Sequence, residues 1–166
     1  MENTRPSPAE QDAAQGARLL RSWRRLATRP GGRWLFSRLV GRMAPYTGTI
    51  GARVLELAPG RAVVRLRDRR AVRNHLRSVH AIALANLGEL ASGLAVMAGL
   101  PAGIRGIPRE ITIRYLKKAR GTLVAHGSAV LPEVTDRADG EGRAEIRNEA
   151  NELVAEVRVA WELERV

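Results

Sequence analysis

The hydrophobic positions change period along the chain, and each change predicts an element. Between residues 13 and 29, apolar side chains recur at helical spacing among arginines, which predicts an amphipathic helix. Its apolar positions are Leu19, Leu20, Trp23 and Leu26. Pro30, Gly31 and Gly32 end this helix, and a second short helix is predicted before Pro45.

Strand periodicity begins near residue 48. Residues 49–57 and 61–67 flank Pro59-Gly60, a turn signal, and predict a hairpin. Four further strands are predicted at residues 107–118, 122–131, 142–149 and 153–163. The last one alternates between apolar and other side chains, which is the period of a half-buried strand. Asp139-Gly140 and Ala150-Asn151 are predicted turns between neighbouring strands.

Residues 81–98 form an almost uncharged segment that predicts one long helix, closed by Gly99 and Pro101. Its composition resembles a membrane span, but Glu89 in its middle, His80 before it and the helix-breaking residues after it argue against one. A helix that is apolar on most sides is normally buried in the core of a soluble protein. We therefore predict a central core helix.

The order of elements is two helices, a hairpin, the apolar helix and four strands in a meander, with no βαβ alternation. It predicts an α+β fold in which an antiparallel sheet of about six strands wraps round the central helix. The predicted organisation is a flexible tail at residues 1–12, N-terminal helices at residues 13–44 and one domain at residues 45–166.

The chain has 166 residues and no cysteine, which excludes a disulfide framework and thiolate catalysis. Its first residues are polar and acidic, so we expect no signal peptide and a cytoplasmic location. The three histidines lack the spacing of a metal site, so no metal is expected.

The net charge of +11 does not by itself identify the kind of partner that the protein binds. A basic protein meets nucleic acid, an anionic membrane or a phosphorylated small molecule. Nucleic acid is disfavoured, because the chain has only three Trp, two Tyr and one Phe and no interleaved stacking motif. Two interpretations of the first helix stay open: it packs on the domain, or it places Trp23 on a membrane surface.

The polar side chains of the central helix are Asn86, Glu89 and Ser92, which form one stripe at a spacing of three residues. A carboxylate in such an apolar helix is a candidate general base or nucleophile. The alternative is that Glu89 pairs with one of the many arginines.

Two polar residues, Asn74 and His80, precede the helix, and the amides after His80 open it. Free amides at a helix N-terminus can hold an oxyanion. His80 and Glu89 are nine residues apart, about 900° of rotation, so on one helix they point to opposite sides. They share a site only if two chains contribute to it.

The spacing of Asn74, His80 and Glu89 resembles that of hotdog-fold acyl-CoA thioesterases of the phenylacetyl-CoA thioesterase-like group. In that motif an Asn is followed by His-Gly-Gly and then by an Asp or Glu in the central helix. The resemblance covers roughly residues 44–163 and indicates an uncharacterised branch. It implies a homodimer, or a dimer of dimers, with two active sites that both chains build.

The resemblance also implies residue roles. Glu89 would activate water or attack the thioester carbonyl, and Asn74 would position the water or the thioester. His80 would shape the oxyanion site, and the amide of Ala81 would polarise the carbonyl. No cofactor is implied, because coenzyme A enters only as part of the substrate.

The chain departs from the family motif in two places. Ala81-Ile82 stands where Gly-Gly is usual, which narrows the room near the acyl group. The family's assisting hydroxyl falls near Ile107, and Ser92 and Thr112 are the candidate substitutes.

A basic cluster follows at Arg114, Lys117, Lys118 and Arg120. The resemblance implies contacts with the phosphates of coenzyme A, and guanidinium and ammonium groups suit such a carrier. The alternative is a solvated basic strand end that deters sheet aggregation.

The sequence thus predicts a hydrolase of acyl-CoA or acyl-carrier thioesters. The first alternative is a hotdog module that binds an acyl-CoA without cleaving it, which the missing Gly-Gly and hydroxyl favour. Hydration of an enoyl thioester ranks lower, because hotdog hydratases pair an Asp with a His in another local motif.

Overall fold

A computed structural model of the protein describes residues 15–166, so the predicted tail at residues 1–12 lies outside the described part. The helices are α1 (Gln15–Ala27), α2 (Gly32–Met43), the short α3 (Pro45–Gly48) and α4 (Ala81–Gly99). The strands are β1 (Arg53–Ala58), β2 (Arg61–Leu66), β3 (Ile104–Tyr115), β4 (Leu123–Val130), β5 (Arg137–Arg147) and β6 (Leu153–Arg165).

The six strands form one antiparallel sheet in the order β1-β2-β4-β5-β6-β3. Strands β1 and β3 are therefore its two edges. In β6 the inner positions Val157, Val159 and Trp161 are buried, as the alternation in the sequence predicts. The predicted α+β fold with a sheet of six strands and extra N-terminal helices is confirmed.

Helix α4 is the centre of the core. Leu87, Ala91 and Val96 are fully buried in it, and the helix packs on all six strands and on α1 and α3. It is long and apolar enough to cross a membrane by composition alone, but 72% of that stretch is buried in this fold. The sheet that surrounds α4 explains why the helix is apolar on most sides.

Two glycines allow the helix and the sheet to approach closely. A side chain on Gly127 of β4 would collide with the carbonyl group of Ala91 in α4. A Cβ atom on Gly88 of α4 would lie 2.8 Å from the Cβ of Val157 in β6 and closer still to one of its methyl groups. The packing distance between helix and sheet therefore depends on the absence of side chains at these positions.

The N-terminal helices pack on the domain through aromatic side chains. Trp23 of α1 is buried and meets Phe36 of α2 edge-on, with 5.0 Å between the ring centroids. Gly31 turns the chain between the two helices with a φ of 73°. Trp23 therefore belongs to the core, which leaves it no access to a membrane surface.

One predicted turn was wrong. Asp139-Gly140 lies inside β5, which begins at Arg137, and Gly140 pairs with Trp161 of β6. A Cβ atom on Gly140 would lie 2.9 Å from a methyl group of Leu163, so this glycine serves close packing within the sheet. The other predicted turn is present, and Asn151 adopts a φ of 59° there.

Replacement of Gly88 by Ala tests the close approach of α4 and β6. We expect Gly88→Ala to lower the free energy of unfolding by about 1–3 kcal/mol, because the new methyl group overlaps Val157. Urea denaturation followed by circular dichroism measures the difference.

Gly93→Ala in the same helix is the matched control. Its Cβ would meet its nearest neighbours, Glu89 and Trp161, at ordinary distances of 3.5 and 3.7 Å. We expect this variant to be as stable as the wild type or more stable by up to about 1 kcal/mol, since Ala favours helix over Gly. Equal destabilisation by both substitutions would contradict the packing argument.

Candidate active site

The loop before α4 is ordered by the side chain of Asn74. Its Oδ1 accepts hydrogen bonds from the amides of Leu76 at 2.9 Å and Ser78 at 3.1 Å. The backbone of Asn74 also bonds to Ser78, and Arg77 adopts a positive φ of 56° inside the turn. The oxygen of Asn74 is thus used in the loop, and only its amide nitrogen remains to meet a ligand.

His80 caps the N-terminus of α4. Its Nδ1 accepts a hydrogen bond from the amide of Ile82 at 3.1 Å. In the neutral imidazole the hydrogen therefore sits on Nε2, and the exposed ring can donate it outwards. The amide of Ala81 has no hydrogen-bond partner within residues 15–166, so it stays available at the positive end of the helix.

Tyr115 also reaches the start of α4, which the sequence analysis missed. Tyr115 is the last residue of β3, and its hydroxyl group donates a hydrogen bond to the carbonyl of Ala81 at 3.1 Å. Partial burial raises the pKa of this phenol. Ile111, Ile113 and Tyr115 alternate with polar residues in the sequence of β3. This alternation could have predicted that the ring of Tyr115 lies on the helix side of the sheet.

Glu89 lies in the middle of α4 and is largely buried. Its carboxylate has neither a hydrogen bond nor an ion pair within the described residues. Its Oε1 lies one turn along the helix beside Gly93, on the side where Trp161 of β6 packs. Desolvation raises the pKa of the carboxyl group above its ordinary value. The alternative in which Glu89 pairs with an arginine does not occur within residues 15–166.

The other members of the polar stripe have different roles. Asn86 donates a hydrogen bond to the carbonyl of Tyr46 at 3.3 Å, which ties α4 to α3, while its buried Oδ1 has no partner among the described residues. Ser92 is fully buried, and its hydroxyl bonds back to the carbonyl groups of Gly88 and Glu89 at 2.8 and 3.2 Å. Glu89 alone keeps an unpaired charge.

Neither candidate for the assisting hydroxyl reaches the carboxylate. Ser92 faces β5, where its Cβ approaches Gly142. Thr112 pairs with Arg158 on the outer face of the sheet and donates to Glu110 at 3.0 Å. Ile107 pairs with Glu162 and lies on the outer face as well. A chain that uses Glu89 has to do so without these hydroxyl groups.

The basic cluster lies at the end of β3 and in the following turn. Arg114 forms an ion pair with Glu156 at 3.0 Å, and Lys117 forms one with Glu152 at 2.6 Å. All four basic side chains, Arg114, Lys117, Lys118 and Arg120, are exposed. Exposed pairs of this kind are worth about 0–1 kcal/mol, so a phosphate group can displace them.

Within one chain, the predicted site residues fall into two groups. His80 lines a groove of about 220 Å³ together with Tyr46, Ile82 and Asn86, whereas Glu89 does not line it. Ile82 and Glu89 are seven residues apart and lie on nearly the same side of α4. The exposed apolar side chains Ile82, Ile111 and Tyr115, of which Ile82 is 53% exposed, lie where α4 begins and β3 forms the edge of the sheet.

The raised pKa of Glu89 has a consequence for stability. The folded protein holds the proton more tightly than the unfolded chain, so stability is lost as pH rises through the ordinary pKa of 4.5 towards the higher folded value. We expect Glu89→Gln to raise the melting temperature at pH 7 and to have little effect at pH 4. Thermal unfolding across this pH range measures the difference.

Glu56→Gln serves as the control, because Glu56 is an exposed carboxylate on β1. Its melting curve should follow that of the wild type at each pH. A Glu89→Gln protein that is less stable than the wild type at neutral pH would show that the carboxylate has a favourable partner.

Three solved structures share the fold of this chain. The crystal structure of the structural-genomics target APC5556 is 30% identical and has a TM-score of 0.77, covering 91% of this chain and 99% of its own. A probable thioesterase of Pseudomonas aeruginosa, PA5026, has a TM-score of 0.68 at 21% identity and covers 78% and 93%. Thioesterase HI1161 of Haemophilus influenzae has a TM-score of 0.66 at 14% identity and covers 76% and 88%.

No curated protein matches the chain in sequence. The family described as a domain of unknown function, DUF4442, matches residues 32–163, which extend from the start of α2 into β6. The central helix wrapped by a six-stranded sheet is the hotdog arrangement of the thioesterase-family structures. The chain therefore has the hotdog fold and belongs to the DUF4442 family.

Proposed function

We propose that the protein hydrolyses acyl thioesters of coenzyme A or of an acyl carrier, with Glu89 as the base or nucleophile. The observation that carries this proposal is the carboxylate itself. Glu89 is largely buried, is unpaired within the described residues and has a raised pKa. A charge in such surroundings is costly to keep, and carboxylates of this kind concentrate at functional sites.

The site is completed by a second copy of the chain. Strand β3 is 12 residues long and forms an edge of the sheet, so one side of its backbone has no strand partner within residues 15–166. Ile111 and Tyr115 expose apolar surface beside it, and Ile82 does so at the start of α4. A long edge strand with apolar side chains on one face can pair with a strand of another chain. A homodimer joined there brings Glu89 of one protomer towards the loop before α4 of the other.

The chemistry follows from the groups at the helix start. The thioester carbonyl accepts a hydrogen bond from the amide of Ala81, and the Nε2 hydrogen of His80 lies beside it. Asn74 offers its amide nitrogen to the water or to the thioester. Glu89 takes a proton from water as the oxygen attacks the carbonyl carbon, and the tetrahedral intermediate collapses to a carboxylic acid. The carbon–sulfur bond breaks, and the thiolate takes the proton from Glu89.

The carrier is held at the end of β3 in this proposal. Its phosphates contact the four basic side chains Arg114, Lys117, Lys118 and Arg120. Arg114 leaves its ion pair with Glu156, and Lys117 leaves its ion pair with Glu152, to bind the ligand. The probable thioesterase of P. aeruginosa and the thioesterase of H. influenzae share the fold and support the reaction class by analogy.

A second candidate function is binding of an acyl thioester without cleavage. Two observations favour it: Oδ1 of Asn74 is used by the amides of its own loop, and neither Ser92 nor Thr112 offers a hydroxyl to Glu89. The two functions share a ligand but differ in turnover, so one assay separates them.

Thiol release from a panel of short, long and aromatic acyl-CoAs tests the proposal. We expect Glu89→Gln to lower kcat by about 10²–10⁴-fold, the range for loss of a general base. The chromogenic reaction of the released thiol measures the rate.

Glu56→Gln is the matched control and should retain the wild-type rate, with both variants of wild-type size by light scattering. Full activity of the Glu89→Gln variant would show that Glu89 does not take part in the chemistry. Thermal stabilisation by an acyl-CoA without thiol release across the panel would establish the binding function instead.

A further inference from the structure

All charged residues from the start of α1 to the first residues of β1 are basic. Between residues 15 and 55 the sequence has nine arginines and no Asp or Glu. Five of them are exposed on helix α1 or in the turn directly after it, namely Arg18, Arg21, Arg24, Arg25 and Arg29. An unbroken positive segment of this kind attracts anionic partners.

Helix α2 displays two neighbouring stripes to solvent. Trp34, Arg38 and Arg42 recur every four residues, and the guanidinium of Arg38 lies 5.3 Å from the centre of the Trp34 ring. The stripe about 100° further round the helix is apolar. It consists of Leu35, Leu39 and Met43, all of which are exposed, as is the nearby Tyr46.

The large side chains of both stripes are exposed to solvent. Trp34 is 50% exposed and Met43 is 65% exposed. The opposite side of α2 packs on the domain through buried Phe36, and Ser37 accepts a hydrogen bond from the amide of Val54 in β1 at 2.9 Å. The helix is therefore fixed in place with its apolar stripe outwards.

A groove of about 710 Å³ runs between α2, α3 and the strands β1 and β2. Five arginines line it, and no acidic residue of the described part of the chain does, so we name it the arginine groove. They are Arg38, Arg42, Arg53, Arg65 and Arg67. Trp34, Val40 and Leu90 supply apolar surface to the same groove. The combination suits a ligand with a charged and an apolar part.

The arginines of the groove lack the partners that other arginines of this protein have. On β5 and β6, Arg137, Arg143 and Arg158 are each paired with a glutamate. None of the five groove arginines forms an ion pair within residues 15–166. The Nε atom of Arg65 is buried there without a hydrogen-bond partner. A buried donor of this kind calls for an acceptor from outside the chain.

We propose that α2 and the arginine groove dock the protein on a membrane surface that contains anionic phospholipid. Guanidinium groups bind phosphate oxygens in a forked geometry, so the groove takes lipid head groups. Leu35, Leu39 and Met43 then enter the interface between head groups and acyl chains, and Trp34 lies at its level. A soluble anion would use the groove but would leave this apolar stripe in water.

The side chains proposed to dock differ from those of the proposed hydrolase site, although Thr49 lines both the arginine groove and the groove of His80. The groove adjoins β1 and β2, and β1 is the edge of the sheet opposite to β3. Docking through α2 thus leaves the β3 edge free for a second protomer. Binding to a membrane and thioester hydrolysis can fail independently of each other in experiments.

Flotation with vesicles tests the proposal. We expect the full-length protein to float with vesicles of phosphatidylglycerol and phosphatidylcholine and not with phosphatidylcholine alone. Trp34 is the exposed tryptophan, whereas Trp23 and Trp161 are buried, so its fluorescence should shift to shorter wavelength on binding. Trp34→Phe should abolish the shift.

A charge-matched pair of variants separates the site from bulk attraction. The triple variant Arg38→Gln, Arg42→Gln, Arg67→Gln should lose at least about tenfold in partition, because each arginine at the surface contributes to the attraction. The control Arg137→Gln, Arg143→Gln, Arg158→Gln removes the same charge from β5 and β6 and should stay within about twofold of the wild type. Leu39→Ser with Met43→Ser should weaken binding at unchanged net charge.

Three results would overturn the proposal. Equal losses of vesicle binding in the two triple variants would show that net charge alone causes the attraction. Stabilisation by inorganic diphosphate without any flotation would assign the groove to a soluble phosphorylated ligand. A change of oligomeric state in the Leu39→Ser, Met43→Ser variant, with vesicle binding intact, would assign the apolar stripe to contact between protein chains.

Discussion

The close packing of α4 against the sheet is the constraint on which the rest of the structure depends. Gly127 lets β4 approach the backbone of Ala91, and Gly88 leaves room for Val157 of β6. A helix enclosed in this way must be apolar, and each polar group in it needs a partner or a function. Ser92 bonds to its own helix and Asn86 bonds to α3, whereas Glu89 has neither contact within the described residues. The carboxylate lies on the side of α4 where Trp161 of β6 packs, and in our proposal a second chain covers it there.

The loop before α4 supplies the complementary groups. Asn74 folds the loop by accepting two backbone hydrogen bonds, and His80 caps the helix through Nδ1. These contacts fix the amide of Ala81 and the Nε2 hydrogen of His80 at the positive end of the helix. Tyr115 ties the same point to β3. A rigid donor site at one end of the helix and a desolvated carboxylate in its middle are the two halves of a catalytic centre that neither chain holds alone in our proposal.

The sequence predicted the fold well where a local pattern decided the structure. The alternation in β6, the break after α1 and the apolar run of α4 all depend on neighbours along the chain. It failed at Asp139-Gly140, because the glycine is required by Leu163, a residue far away in sequence. The bond from Tyr115 to Ala81 and the unpaired arginines of the groove were equally out of reach, since each depends on which elements meet in space. Trp23 shows the same limit. The composition of α1 is compatible with contact between Trp23 and a membrane, but in the fold Trp23 is buried against Phe36 of α2.

Complementation between two inactive variants tests most directly whether the two halves come from different chains. Protomers that carry Glu89→Gln and His80→Ala, each with its own affinity tag, are co-expressed and the mixed dimer is isolated. If each site takes Glu89 from one protomer and His80 from the other, the mixed dimer has one site with both changes and one intact site. Its rate of thiol release should then be about half that of the wild type, while both homodimers stay inactive. A mixed dimer no more active than the homodimers would show that each site is built within a single chain.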